Sequence, residues 1–341
     1  MAADGKSPGH GAEACTACMG LFAPNFAAHG FVGSAAHVLF PAKTHPLMDV
    51  LRTVDGMQNH ADAARRDGQT LGLVPTLGAL HEGHFALIRR ALQEADHVTA
   101  SVFVNPTQFG PDEDYDAYPR DLEGDREKLE ALGVDAMFVP SVDEMYPFLN
   151  DEEFGQPLAW VDVDRLDEHL CGAYRDGHFR GVATVVTKLF HACTPDVAVF
   201  GTKDAQQYVI LQRLVEDLLF DIEIVGVPTV RADDGLAVSS RNAYLSDDER
   251  AQSTVLSEAL QAAEAAIERG EQAPQAVVQT MNEVLAAAPD ANVQYAEVVD
   301  ARSLQPVDRL RPGQRVIAAL AVFFGDTRLI DNVFVDVPTK T

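Results

Sequence analysis

Two histidines lie in a segment whose residue types suit the binding of an anion. In VPTLGALHEGHFALIRRA, residues 74–91, an apolar run gives way to small residues and then to a helical pattern. Gly78 and Gly83 allow a ligand to approach the backbone closely, and the first turn of the helix offers unpaired N–H groups and the positive end of its dipole. His81 and His84 can donate hydrogen bonds to phosphate oxygens. The segment therefore predicts a phosphate-binding turn.

Two patterns in the chain resemble metal sites. A zinc-protease helix carries H-E-x-x-H, with histidines four residues apart, whereas His81 and His84 are three apart with Gly83 between them. That spacing favours phosphate over zinc, and two surface histidines in an ordinary turn are the remaining alternative. Cys15 and Cys18 form a C-x-x-C pair, but no second pair accompanies them. We therefore expect this pair neither to bind a metal ion nor to cycle between thiol and disulfide.

Three further polar clusters follow predicted strands or turns. Residues 105–110, NPTQFG, and residues 201–204, GTKD, each come directly after an apolar strand-like run. Residues 239–242, SSRN, follow a turn that opens the last third of the chain. Because the carboxyl ends of parallel strands meet at one edge of a sheet, we expect these clusters to converge there.

Four side chains in these clusters and just after them are candidate ligands. Gln108 and Gln207 carry neutral amides suited to a hydroxyl or a carboxylate, although an exposed amide without a role is the alternative for each. Lys203 is one of only six lysines and stands at a strand end, which favours phosphate binding over a solvated amine. Arg241 offers a fork of donors, its alternative being a solvent-facing residue in a turn.

Helical and strand patterns alternate over the first two thirds of the chain. Short apolar runs separated by helical stretches predict an α/β fold, a Rossmann-like parallel sheet that helices cover on both faces. In such folds ligands bind beyond the carboxyl ends of the strands. The expected strands are residues 70–75, 98–104, 136–139, 197–200 and 222–227, and the expected helices are residues 51–67, 85–96, 122–132, 182–191 and 205–219.

The pattern changes after about residue 227, where a second, smaller α+β domain is predicted. Its expected elements are a turn at 233–235, helices at 246–269 and 273–288, and strands near 293–299, 315–323 and 328–335. We expect a poorly structured extension over residues 1–47, a Rossmann-like nucleotide-binding domain over 48–228 and the smaller domain over 229–341. We expect the extension to be dispensable for activity, or to result from a translation start assigned upstream of the true one.

The composition indicates a soluble protein that acts on small molecules. The 341 residues include 26 Lys and Arg against 52 Asp and Glu, a net charge of -26, so nucleic acid and anionic membranes are not expected partners. No apolar stretch reaches the length of a membrane span, and four cysteines make no disulfide framework. The first residues lack the blocks of a secretory signal, so a cytoplasmic location is expected. The acidic surplus is compatible with a salt-loving host.

Seven motifs occur in the order and spacing of one enzyme family. They are VPTLGALHEGH, SVFVNPTQFG, YPRDLEGD, LCGAYRDGHFRG, FGTKDAQQ, VSSRNAYLS and TRLIDN, and the similarity to that family covers Met48 to about Asp336. In these motifs the chain resembles the pantothenate synthetase family, the pantoate:β-alanine ligases of the HIGH-motif nucleotidyltransferase superfamily. The resemblance implies a Rossmann-like amino-terminal domain, a smaller carboxy-terminal domain and a homodimer.

The resemblance also implies a reaction. Members of the family use ATP and Mg²⁺ to join (R)-pantoate to β-alanine, and they release AMP and pyrophosphate through a pantoyl adenylate. The attacking carboxylate is already ionised at neutral pH, so the first step needs no strong base. It needs the carboxylate in line with the α-phosphate and cations for the charge that develops, and histidine, lysine and arginine are expected to supply these cations. HEGH and Ser-Ser-Arg alone would also fit a nucleotidyltransferase with a different acceptor, and a regulatory nucleotide-binding protein is a third alternative.

The matching positions imply roles for individual residues. The implied catalytic residues are His84, His81, Lys203 and Arg241. Gln108 and Gln207 would bind pantoate, and Gln108 would also border the β-alanine site. Asp125 is a candidate Mg²⁺ ligand, with a solvated acid in an acid-rich stretch as its alternative. The implied ATP-binding residues are Leu77, Gly78, Ala79, Leu80, His81, Glu82, Gly83, His84, Gly201, Thr202, Lys203, Asp204, Val230, Val238, Ser239, Ser240 and Arg241.

Three positions depart from the family pattern. Leu77 and Val238 stand where the family usually has Met, an apolar exchange that the nucleotide site is expected to tolerate. Asp176 replaces a usual Pro and adds a negative charge to a basic group that could also face phosphates. That group consists of Arg175, His178 and Arg180.

Overall fold

The structure is a computed structural model that describes residues 47–111 and 113–339. It combines a six-stranded parallel sheet, flanked by helices, with a three-stranded antiparallel sheet. The predicted α/β fold with a second, smaller α+β domain is therefore confirmed. Except for Leu47, the extension predicted over residues 1–47 lies outside the described residues, and so do Cys15 and Cys18.

The large sheet reverses its strand order next to the site described below. Its strands are β1 (Asp49–Leu51), β2 (Leu71–Thr76), β3 (His97–Val102), β4 (Ala136–Phe138), β5 (Val197–Gly201) and β6 (Glu223–Val227). They lie in the order β1-β4-β3-β2-β5-β6, and every pair is parallel. The chain moves outward from β2 through β3 to β4 and then returns to the other side of β2 with β5. A parallel sheet opens a crevice at such a reversal, beyond the carboxyl ends of the strands.

Helices cover both faces of the large sheet. They are α1 (Val54–Arg66), α2 (Glu82–Glu94), α3 (Leu122–Leu132), α4 (Val142–Met145), α5 (His178–Cys193) and α6 (Ala205–Asp217). Leu73 and Val74 are fully buried neighbours on β2 that enter different cores, Leu73 with α1, α5 and α6 and Val74 with α2 and α3. Because successive side chains of a strand point to opposite faces, this pair shows that both faces of the sheet are covered at β2.

The small sheet shares a core with the large domain. Its elements are α7 (Asp247–Gln252), α8 (Val255–Glu268), α9 (Pro274–Leu285), β7 (Ala291–Asp300), β8 (Arg315–Phe324) and β9 (Thr327–Asp336). On one face, Leu320 of β8 is buried beneath α8 and α9. On the other face, Ile317 and Ala319 of β8 cluster with Val209 and Ile210 of α6. The predicted boundary after residue 228 falls just past the end of β6.

Some predicted elements differ from those observed. The single helix predicted over 246–269 is wrong: the Ser253 and Thr254 hydroxyls donate to carbonyls in the last turn of α7 and end it, and α8 starts anew. Helix α5 begins at His178, earlier than predicted, because a glycine with a φ of +71° turns the chain directly before it. The edge strand β1 has no predicted counterpart, since three residues are too few to show periodicity. No helix within residues 47–111 and 113–339 has the length and apolarity needed to cross a membrane.

Candidate active site

A pocket of about 250 Å³ opens at the carboxyl edge of the large sheet, next to β2. Its walls are the segments that follow β2, β3, β5 and β6, together with residues 238–241. A second cavity of about 590 Å³ adjoins it and extends to β9 of the small sheet. The residues that line both cavities are Arg175, Lys203, Asp204, Ser239 and Arg241. The crevice expected from the strand order is therefore present, and the small domain contributes to its outer part.

The turn between β2 and α2 has a left-handed backbone that a buried carboxylate holds in place. Gly78 and Ala79 have φ values of +88° and +51°. A Cβ at residue 78 would lie 3.0 Å from Oδ2 of Asp125, so this position requires glycine. The Asp125 carboxylate, in a residue only 1% exposed, accepts the N–H groups of Ala79 and Leu80, each at 2.8 Å. Asp125 thus fixes the turn that leads to His81.

His81 and His84 are neutral hydrogen-bond donors in this structure. The backbone N–H of His81 donates to Nδ1 of His84 at 3.3 Å, and the N–H of Gly83 donates to Nδ1 of His81 at 3.1 Å. In a neutral ring whose Nδ1 accepts, Nε2 carries the hydrogen. Burial lowers the pKa of His84 to about 3, and burial followed by the charge of Lys203 lowers the pKa of His81. These pKa shifts favour neutral rings over cations, and the catalytic role of the two histidines stays a prediction.

The two cationic candidates come from distant parts of the chain and line the same pocket as both histidines. Lys203 lies in a 3-10 turn after β5, with its Nζ 3.9 Å from Oδ1 of Asp204. Arg241 lies in a 3-10 turn of the segment after β6, and its guanidinium donates to Oδ1 of Asp114 at 2.9 Å. The pocket therefore combines two neutral donors with these two cations, and Arg175, described below, is a third cation in its lining, although the protein has a net charge of -26.

The two candidate substrate amides also line this pocket. Oε1 of Gln108, in the 3-10 turn after β3, accepts a hydrogen bond from Nδ2 of Asn105 at 3.1 Å. Asn105 is fully buried and donates to the carbonyl of Gly181 at 3.2 Å. A Cβ at residue 181 would clash with the carbonyl of Thr107, so the glycine lets α5 approach this turn. Gln207 lies in the first turn of α6.

Arg175 and His178, which the sequence left without a firm role, line the pocket beside Gln108. Nδ1 of His178 donates to the carbonyl of Gln108 at 2.8 Å, and its Nε2 accepts from Arg175 at 2.9 Å. Burial, reinforced by the charge of Arg175, lowers the pKa of His178 to about 4. Arg175 also donates to both carboxylate oxygens of Glu113 at 2.6 Å. These bonds fix the backbone of Gln108.

Most of the predicted site residues line the pocket. They are Leu77, His81, Gly83, His84, Gln108, Gly201, Lys203, Asp204, Gln207, Val230, Val238, Ser239, Ser240 and Arg241. The predicted ATP-binding residues outside its lining are Gly78, Ala79, Leu80, Glu82 and Thr202. Leu80 packs in the core, Glu82 lies 3.4 Å from Arg89 at the surface, and Thr202 donates to the carbonyl of Val227. For these residues a contact with ATP stays a prediction.

Sequence reasoning did not assign three residues that support the site. Tyr118 is 7% exposed and lines the pocket, Asn105 holds Gln108, and Asn332 of β9 bonds the turn that contains Lys203. All three lie inside the motifs quoted above, which is the only signal that points to them. The contacts of a lone tyrosine or asparagine leave no spacing pattern in the chain.

The described residues form no ready-made cage for a metal ion. No group of three or more His, Cys, Asp or Glu side chains among them is arranged to hold one. Both oxygens of Asp125 accept backbone hydrogens, and Oδ1 also lies 3.5 Å from Nζ of Lys128. Asp125 as a Mg²⁺ ligand stays a prediction, and this geometry does not favour it. A Mg²⁺ ion that arrives with a nucleotide would take its ligands mainly from phosphate oxygens and water.

Comparison with known proteins gives the same family as the motifs. The profile of the Pantoate-beta-alanine ligase family matches residues 49–334. The pantothenate synthetase of Salinibacter ruber is 78% identical over 291 residues, which are 85% of this chain and 99% of that protein. The pantothenate synthetase of Moorella thermoacetica is 48% identical over 290 residues, again 85% of this chain and 99% of that protein.

Solved structures share the fold over most of the chain. The crystal structure of pantothenate synthetase from Thermus thermophilus has a TM-score of 0.76 at 44% identity and covers 86% of this chain and 100% of that one. Pantoate-beta-alanine ligase from Francisella tularensis, complexed with beta-gamma ATP and beta-alanine, has a TM-score of 0.67 at 32% identity and covers 84% of this chain and 97% of that one. From its sequence, its fold and the residues gathered in its pocket, the chain belongs to the pantoate-beta-alanine ligase family.

Proposed function

We propose that this chain condenses (R)-pantoate with β-alanine and converts ATP to AMP and pyrophosphate. The observation that carries the proposal is the convergence of two imidazole donors, a lysine, an arginine and two glutamine amides in one pocket. A triphosphate suits the first four groups, and a hydroxy acid suits the amides. The family membership supports the same reaction, and the Francisella tularensis relative was crystallised with beta-gamma ATP and beta-alanine.

In the first step, a carboxylate oxygen of pantoate would attack the α-phosphorus of ATP. The new oxygen–phosphorus bond forms as the bond to pyrophosphate breaks, and no proton is removed because the carboxylate is already ionised. The protein must place the carboxylate in line with the bond to pyrophosphate, and it must stabilise the charge on the phosphoryl oxygens. Lys203 and Arg241 would supply positive charge, while His81 and His84 would supply neutral N–H donors. Mg²⁺, bound between phosphate oxygens, would add further positive charge.

In the second step, the neutral amine of β-alanine would attack the acyl carbon of the pantoyl adenylate. The carbon–nitrogen bond forms, the bond from carbon to the AMP oxygen breaks, and the nitrogen releases a proton. Gln108 and Gln207 would hold pantoate, with Gln108 also bordering the incoming amine. Water must be excluded in this step, because hydrolysis of the adenylate would consume ATP without forming product.

The proposal extends to nucleotide contacts, assembly and location. Leu77, Val230 and Val238 are apolar lining residues that would pack against the nucleoside part of ATP. The resemblance of the motifs supports a homodimer, and the composition supports a cytoplasmic location. Light scattering of the purified chain tests the dimer directly.

An omission assay tests the reaction. Pyrophosphate release is measured with ATP, pantoate and β-alanine together and with each left out in turn. We expect release to require both ATP and pantoate, and we expect continued turnover to require β-alanine as well. Release that ignores pantoate but depends on another acid would instead indicate a nucleotidyltransferase with a different acceptor. ATP binding without any release would indicate a regulatory nucleotide-binding protein.

A further inference from the structure

The small sheet contributes two buried polar side chains to the loops of the pocket. Asp331 and Asn332, at the end of the TRLIDN motif, are 2% and 7% exposed on β9. Neighbouring side chains of a strand point to opposite faces. Asp331 lies opposite Leu320, which faces α8 and α9, and Asn332 lies opposite Ala319, which faces the large domain. One short stretch of strand can therefore hold two different loops.

Asn332 holds the turn that contains Lys203. Its amide nitrogen donates to the carbonyl of Thr202 at 3.1 Å and to the carbonyl of Lys203 at 2.6 Å. Asp204, which caps the following helix α6, makes no side-chain capping bond of its own. The amide of Asn332 thus fixes the backbone from which the Lys203 side chain projects.

Asp331 holds the base of the segment that carries Arg241. Its two carboxylate oxygens accept from Arg231 at 2.6 Å and 3.0 Å, and Arg231 also donates to the carbonyl of Gly235 at 3.1 Å. The backbone N–H of Val238 donates to the carbonyl of Val230 at 2.9 Å and closes a hairpin that contains Arg231 and Gly235. The hairpin leads directly into the turn that contains Arg241.

We propose that Asn332 and Asp331 are positioning residues for two cations of the pocket, Lys203 and Arg241: from adjacent places on β9 they fix the Lys203 turn and the base of the Arg241 segment relative to each other. This inference rests on the proposed function, because it takes Lys203 and Arg241 to bind ATP. A strand suits the task, since sites supported by regular elements keep their geometry better than sites supported by loops alone. The small sheet then sets the spacing of the two cations without touching the reacting atoms.

The Asn332→Ala variant tests the first contact. It removes both hydrogen bonds from the Asn332 amide to the turn and keeps the Lys203 side chain unchanged. We expect weaker ATP binding by calorimetry and a kcat/KM for ATP that is lower by about 10- to 100-fold, because a displacement of about 1 Å at a positioned group can cost about 100-fold. Gln305→Ala is the matched control: its Nε2 is another small-domain amide that donates to a large-domain carbonyl, that of Arg165, at 2.7 Å. The control should leave ATP binding unchanged.

A double-mutant cycle separates positioning from general stability. If Asn332 acts through Lys203, adding Asn332→Ala to Lys203→Ala should change kcat/KM for ATP by less than about threefold, because coupled residues are not additive. Losses that multiply in full would overturn the proposal. If Asn332→Ala does not fold, Asn332→Ser, which keeps one shorter donor, enters the same cycle with the same expectation.

Arg231→Lys tests the second contact and keeps a positive charge opposite Asp331. Lysine lacks the two-pronged fork of arginine, so we expect weaker ATP binding and a loss that is not additive with Arg241→Ala. Unchanged ATP affinity in both Asn332→Ala and Arg231→Lys would refute the inference. Calorimetry with ATP alone needs no ligation, so a chain that binds ATP but makes no pantothenate would refute the proposed function and still leave this test decisive.

Discussion

At the scale of single residues, burial decides the charge state of the two imidazoles in the pocket. His84 donates through Nε2 because its Nδ1 accepts the backbone N–H of His81, and its pKa of about 3 keeps the ring neutral at physiological pH. A neutral ring is cheaper to bury than a charged one and still donates to a phosphate oxygen. The positive charge of the pocket thus comes from the side chains of Lys203, Arg241 and Arg175.

His84→Ala should lower kcat by about 100- to 1,000-fold, the usual cost of removing one donor to a developing charge. The fold should survive, as thermal unfolding can show. His60→Ala serves as the control, because that ring bonds His97 at 2.9 Å, at the opposite edge of the sheet. Steady-state turnover of the His84 variant within twofold of the parent would remove the residue from the mechanism.

Asp114→Asn should strengthen ATP binding. Asp114 accepts a hydrogen bond from Arg241 at 2.9 Å, so the arginine must exchange this partner for phosphate. The side chains of Arg241 and Asp114 are 35% and 25% exposed, and ion pairs in such contact with water are worth up to about 1 kcal/mol, which sets the expected gain at up to about fivefold in Kd. Calorimetric titration with ATP at low salt measures the gain, and Asp116→Asn, an exposed acid of the same loop, should show none. Weaker binding in the Asp114 variant would contradict the competition.

The donor residues themselves could be predicted from the sequence, but their surroundings could not. Residue type and strand-end position identified His81, His84, Lys203 and Arg241, which the structure places in one pocket. The neutral state of the histidines depends on burial, and the pairing of Arg241 with Asp114 joins residues 127 positions apart. Neither fact leaves a trace in local spacing.

At the scale of elements, the β2–α2 turn depends on a carboxylate contributed by α3. Asp125 accepts two backbone N–H groups of the turn, one of them from Ala79 in the left-handed region. Such strain persists only where the surroundings hold the backbone. The large sheet and its helices were predictable because buried strands and amphipathic helices leave strong periodic patterns. The contact between Asp125 and the β2–α2 turn was not predictable, because it joins a loop to an acidic residue 46 positions away.

Asp125→Asn distinguishes a clamp from a metal ligand. As a clamp, the carboxylate supports the turn, so the variant should lose about 1–3 kcal/mol in the free energy of unfolding and should raise the KM for ATP. The Mg²⁺ concentration that gives half-maximal activity should stay the same. A rise in that concentration, with unchanged stability in denaturant titrations, would restore the metal role. Asp121→Asn, at the exposed cap of the same helix, is the control for helix stability.

At the scale of the whole molecule, buried neutral histidines link the fold to pH. His84 and His178 have pKa values of about 3 and about 4, whereas an unfolded histidine titrates near 6.5. Below about pH 6.5 the unfolded chain therefore binds protons that the folded chain does not. The free energy of unfolding must then fall as the pH decreases toward 4, and these two histidines add no slope above about pH 7.

His178→Gln should flatten this dependence. Each such histidine contributes up to about 1.4 kcal/mol per pH unit to the free energy of unfolding in that window. Urea titrations at several pH values between about 5 and 7 measure the slope for the parent and the variant. His191→Gln, at an exposed histidine, is the matched control variant. Equal slopes for the parent and the His178 variant would contradict the linkage.

The hydrophobic layer between α6 and β8 decides how this enzyme can be dissected. Val209 and Ile210 on one side, and Ile317 and Ala319 on the other, are buried in one cluster to which both halves contribute. A recombinant fragment that stops at residue 228 would expose the apolar face of α6 to solvent, and the complementary fragment would expose the apolar face of β8. Each fragment would therefore self-associate. To produce either half alone, the apolar residues of this layer would first have to be replaced by polar ones.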